Sequence, residues 1–200
     1  MVVEDVAAAL LSPQRRLPLI VAERGPVATG AVVLVTGALM AGIGVAATLV
    51  EPVSAIGGEN GRRAGVVVSA LLPVVLLVTW VVDAFIVDGG ARAMGAPSRR
   101  REYLVASGFA VPVLVAFEAV SLVAAVLDAH GATDVAVAVG WLKWAVLAWY
   151  VMLLTLAARQ IYELPLIGAL TAALLPYAAM TTVLIVVLAV LSVLYAAHVR

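Results

Sequence analysis

From Val27 to Leu49 the chain carries no charged side chain. At about 1.5 Å of rise per helical residue, such a run crosses a hydrocarbon core of about 30 Å. Four further apolar runs follow, at about Ala64–Val87, Tyr103–Leu127, Val135–Ala158 and Leu164–Ala197. In lipid every backbone polar group must be paired internally, so runs of this kind become spanning helices. Composition agrees, with 65% hydrophobic and 12% charged residues, against about half and a quarter in soluble domains. The predicted fold is an all-α polytopic membrane protein with five transmembrane helices, a short N-terminal amphipathic helix and a partial helix before the last span. The partial helix arises because Leu164–Ala197 is too long for one upright span and Pro176 divides it. Leu164–Leu175 is then partial or interfacial, and Pro176–Ala197 is the fifth span.

The N-terminal residues do not read as a signal peptide, because Glu4 and Asp5 stand where a positive start belongs. Val3, Val6, Ala7, Leu10 and Leu11 recur at helical spacing and predict a helix lying on the membrane, ended by Ser12-Pro13. Residues 1–26 form a cytoplasmic N-terminal segment and 27–200 a single five-span membrane domain. A glycine-rich turn is expected over Pro52–Arg63, and a kink at Pro73.

Arginine placement sets the orientation. Arg15, Arg16, Arg24, Arg92, Arg99, Arg100, Arg101 and Arg159 share one side when the N-terminus is inside. Arg62, Arg63 and Arg200 take the other, and the Asp128–Asp134 loop has no basic residue. Arginine-rich loops stay cytoplasmic, which places the N-terminus inside and the C-terminus outside, in a cell membrane. Arg99, Arg100 and Arg101 are candidates for contact with anionic headgroups or a partner. The arginine-dominated, Ala/Val/Gly-rich composition suggests a prokaryotic source.

Gly30, Gly37 and Gly44 lie seven apart on one helix stripe. Small residues let helix backbones approach closely in lipid, so the stripe is a packing face, within the chain, for other membrane proteins or for self-association, with a substrate groove along it as the alternative. Three charges stand inside the spans. Asp83 lies near the cytoplasmic end of the second span, as an interfacial acid with Arg92 or Arg159 as partner, or as an ion or proton site. Glu118 stands ten residues before Asp128, and Lys143 nine after Asp134. Both are therefore about 14 Å below the outer surface of adjacent antiparallel spans. A lone charge there costs at least about 2.5 kcal/mol, so Glu118 and Lys143 are expected to form a buried ion pair.

No catalytic constellation is legible. The chain has no cysteine, and its histidines, His130 and His198, have no second ligand at metal spacing. No glycine pair is followed by the Gly-Lys-Ser/Thr of a phosphate loop. Neither cofactor, metal nor nucleic-acid partner is expected, and the net charge of zero offers no basic footprint.

Several segments resemble the Yip (Ypt-interacting protein) family. Ala9-Leu10-Leu11-Ser12-Pro13 is similar to its N-terminal Leu-x-x-Pro segment. Trp80 through Gly95 resembles its second span and small-residue turn. Tyr103 through Pro112 resembles its third span, where a Gly-aromatic-Ala stretch precedes a proline. Trp141 through Arg159 resembles its fourth, and Ala172–Pro176 its next alanine-proline element. The resemblance implies a prokaryotic-type member and a non-enzymatic adaptor or membrane-organising, trafficking-like factor. In eukaryotes that fold binds prenylated small GTPases. A small transporter or channel subunit using Asp83, Glu118 and Lys143 is the alternative.

Overall fold

The computed structural model describes residues 2–50 and 58–198. Among them the chain is α-helical throughout: α1 (Val2–Leu11), α2 (Pro13–Glu23), α3 (Pro26–Val50), α4 (Gly58–Ala93), α5 (Arg100–Ala110), α6 (Val113–Ala129), α7 (Thr133–Gly140), α8 (Leu142–Tyr162) and α9 (Leu166–His198). Five stretches are long and apolar enough to cross a membrane: α3, α4, α5 with α6, α7 with α8, and α9. Glu51, residues 52–57 of the expected glycine-rich turn, and Arg200 lie outside the described residues.

Two spans are interrupted, each for a local reason. Pro112 has no N–H for the Gly108 carbonyl, so the ladder breaks between α5 and α6. Tighter bonds from Leu114 N to Val111 O (2.9 Å) and Val115 N to Pro112 O (3.1 Å) restart it. At Gly140-Trp141 the helix tightens likewise, with Trp144 N donating to Trp141 O at 3.1 Å. Pro176 behaves differently. Helix α9 runs through it, so the expected partial helix is the first part of the fifth span rather than a separate element. One lost bond is tolerated there because Pro176 is packed in the interior beside Ala172 and Ala173, which are also buried.

Helix α4 is longer than its apolar run on both sides. It starts at Gly58, inside the expected turn, and continues to Ala93. A C-terminal cap then ends it. Gly95 takes a left-handed φ of 89°, and Ala96 N reaches back to Ala91 O at 3.0 Å, with Pro97 next.

The N-terminal segment differs most from its expected form. Residues 12–23, expected to be a helix stop and a polar stretch, form α2 with Pro13 in its first turn. Ala9, Leu17 and Ile20 belong to the same buried cluster as Tyr103, Phe109, Ala157 and Ile161. Arg24 Nε donates to Asp5 at 3.1 Å and ties α1 to the end of α2. Gln160 Nε2 donates to the Gln14 carbonyl at 3.3 Å. The helices α1 and α2 thus pack onto α5 and α8 and share their core.

Candidate functional site

The arginine-bearing turn between α4 and α5 is held from beneath by Asp88, which is 5% exposed. Its carboxylate accepts the Ser98 hydroxyl at 2.9 Å and the Arg99 backbone N–H at 3.1 Å. It also accepts the Tyr162 hydroxyl at 3.1 Å. One acid in α4 therefore stands in for a side-chain cap on α5 and reaches α8 as well. Arg99 adds a second tie. Its Nη1 donates to the Ile161 carbonyl at 2.9 Å and pairs with Glu163 at 3.0 Å. Glu163 holds a left-handed φ of 56° at the C-terminus of α8, where a non-glycine residue carries strain and Arg99 satisfies its carboxylate.

The three arginines therefore part company. Arg99 acts as a structural clamp between the turn and the end of α8, with part of its side chain still exposed. Arg100 lies over the exposed Phe85 ring, 4.0 Å from its centroid. Arg101 is exposed. Arg100, Arg101 and Glu102 line an open groove with Pro26, Phe85, Ser98 and Leu104. A smaller groove of about 260 Å³ separates this end from α2, lined by Leu17, Pro18, Val21, Arg99, Glu102, Gln160 and Ile161.

The charges inside the spans do not meet. Among the described residues Glu118 and Lys143 make no ion pair within 4.0 Å. Lys143 Nζ lies 5.7 Å from the Phe117 ring centroid, one residue from Glu118. The Glu118 carboxylate instead points to the α3–α4 seam, 4.0 Å from where a Cβ on Gly44 would stand. The expected ion pair is therefore absent: Lys143 lies beside Phe117, the Glu118 carboxylate turns to another face, and Lys143 reaches it only as a nearby charge.

Asp83 has neither Arg92 nor Arg159 as a partner. It faces a small cavity lined by Trp80, Tyr103, Ser107, Tyr150, Leu154, Ala173, Pro176 and Tyr177. Glu118 and Lys143 do not line it, so the three charges form no common polar chamber among the described residues. No group of three or more His, Cys, Asp or Glu able to hold a metal occurs among those residues.

The glycine stripe is spent inside the chain. A Cβ on Gly37 would stand 2.6 Å from Pro73 Cα, one on Gly44 2.9 Å from Ser69 Oγ, and one on Gly30 3.8 Å from Trp80. Gly37 and Gly44 are therefore buried where α3 packs on α4, and Gly30 is half-buried beside Trp80.

Asp88 was not singled out from the sequence, although Asp88-Gly89-Gly90 at a helix end invites the question. Its partners lie 10, 11 and 74 residues away. Together these features define an all-α protein with five membrane-length helices and a braced arginine turn at one end. No family model, curated protein or solved structure matches the chain.

Proposed function

We propose that this protein is a non-enzymatic integral membrane adaptor or membrane-organising factor of Yip-like type, in a prokaryotic cell membrane with its N-terminus inside. The observation that carries the proposal is the bracing of the arginine turn. Asp88 and Arg99 fix its backbone from within, while Arg100 and Arg101 stay at the surface beside an open groove. A turn that is structurally locked yet outwardly basic suits contact with acidic partner segments or anionic headgroups. The segment resemblances to the Yip family support the same class.

Two experiments test it. A photoreactive amino acid at Arg101 in native membranes is expected to give discrete protein adducts, whereas one at the half-exposed mid-span Val123 gives lipid adducts. Lipid adducts alone at both positions would count against an adaptor. For orientation, the absence of cysteine permits single-cysteine labelling. Arg101→Cys is expected to react with an impermeant maleimide only after the cells are opened, and Thr133→Cys in intact cells. The reverse pattern would overturn the N-in assignment.

A further inference from the structure

Each of four helices presents side chains one turn apart to the Asp83 cavity. They are Trp80 and Asp83 on α4, Tyr103 and Ser107 on α5, Tyr150 and Leu154 on α8, and Ala173 and Tyr177 on α9. Residues three or four apart share a helix face, so the lining is built by the packing of the spans and not by a loop. Within it Asp83 has no hydrogen-bond or ion-pair partner among the described residues, and no basic side chain lines the cavity. Asp88, about one and a half turns further along α4, shows the contrast. The fold supplies it with three donors.

The indole and serine donors near Asp83 are used elsewhere. Trp80 Nε1 donates to the Leu104 carbonyl at 3.1 Å and to Ser107 Oγ at 3.2 Å. The Ser107 hydroxyl donates to the same carbonyl at 3.3 Å. What remains facing the cavity is a carboxylate, hydroxyl oxygens and aromatic faces. All of these attract a cation, and tryptophan is the strongest of the aromatic faces. A carboxylate at this depth also needs compensation, because an uncompensated charge in a span is costly.

We propose that Asp83 and the surrounding Trp80, Tyr103, Tyr150 and Tyr177 bind one small, dehydrated monovalent cation. The open centre of the cavity, about 10 Å³, accommodates roughly one particle the size of water. That excludes hydrated ions and substituted amines. A divalent ion wants six or more oxygen ligands and several carboxylates, whereas this lining holds one acid. An ammonium ion has the size of water and meets both the oxygen acceptors and the aromatic faces. The site is independent of the adaptor function, since it lies in the bundle and not at the arginine turn. Occupancy would brace α4, α5, α8 and α9 against one another.

The test uses the full chain in lipid nanodiscs at fixed pH and ionic strength, with N-methylglucamine chloride replaced stepwise by ammonium, sodium or potassium chloride. The melting temperature is expected to rise saturably with at least one of the three small cations. Asp83→Asn should abolish that dependence. Tyr177→Phe, which keeps the ring, should weaken apparent affinity by about fivefold, the loss of one hydrogen bond. Where Asp83→Asn fails to fold, Tyr150→Phe and Tyr177→Phe carry the comparison. A wild-type protein with the same melting temperature in all four salts, or a cation response that survives in Asp83→Asn, would overturn the proposal.

Discussion

Asp88→Ala is expected to destabilise the protein by about 3 kcal/mol, more than any other change at the arginine-bearing end. The carboxylate is buried and accepts from Ser98, the Arg99 backbone and Tyr162. Hydrogen bonds to a charged group contribute about 1.5–3 kcal/mol each, and a buried donor left without its acceptor costs about 1–3 kcal/mol. The three donors do not lose equally. Ser98 is exposed and turns to water, whereas the Tyr162 hydroxyl is enclosed by the bundle. Tyr162→Phe should therefore cost about 1–2 kcal/mol and Ser98→Ala under about 1 kcal/mol. Thermal unfolding in nanodiscs measures all three. A loss at Asp88→Ala no larger than that at Ser98→Ala would show that the carboxylate does not hold the turn. Asp88→Ala should also loosen the Arg101 surface, so limited proteolysis at 96–102 should quicken in that variant and not in Ser98→Ala.

The spans were legible because their signal runs in one dimension. A charge-free run such as Val27–Leu49 either reaches across a bilayer or does not, and α3 covers it almost residue for residue. What the sequence did not show depends on rotation and on distant partners. Depth arithmetic placed Lys143 within one residue of Glu118, at Phe117. It could not say that the Glu118 carboxylate turns to the Gly44–Ser69 seam, because position along a helix carries no information about a neighbour's azimuth. Asp88 was hidden for the same reason, with a partner 74 residues away on α8. The docking of α2 had a local signal. Pro13, Leu17 and Ile20 are spaced as a buried helix face, but the surrounding Gln14, Arg15 and Arg16 drew attention to the polar side. Continuity through Pro176 follows from small buried neighbours that only packing reveals.

Glycine substitutions at the α3–α4–α5 contact should separate backbone from side-chain crowding. The Cβ of Gly37→Ala would stand 2.6 Å from the Cα of Pro73. A main-chain atom cannot turn aside, so the two spans must move apart along much of their length. Overpacking of this kind costs about 1–3 kcal/mol, which outweighs the roughly 1 kcal/mol that alanine gains over glycine in helix propensity. Replacing Pro73 by alanine leaves its Cα in place, so Gly37→Ala/Pro73→Ala should recover nothing from the clash itself. Gly108→Ala presents the other case. Its Cβ would meet Thr29 Cγ2 and the Trp80 ring, whose Cε2 and Cζ2 would lie at 3.2 Å. Thr29→Ser removes that methyl and keeps the hydroxyl that donates to the Gly25 carbonyl at 3.1 Å. Gly108→Ala alone should therefore cost about 2 kcal/mol, and the added Thr29→Ser should restore about half of it. The remainder persists because the indole, anchored to Leu104 and Ser107, must still give way. Unfolding of the four variants in one lipid composition decides it. Rescue at Gly37 by Pro73→Ala, with none at Gly108 by Thr29→Ser, would reverse the assignment of which contact is main-chain and which is side-chain.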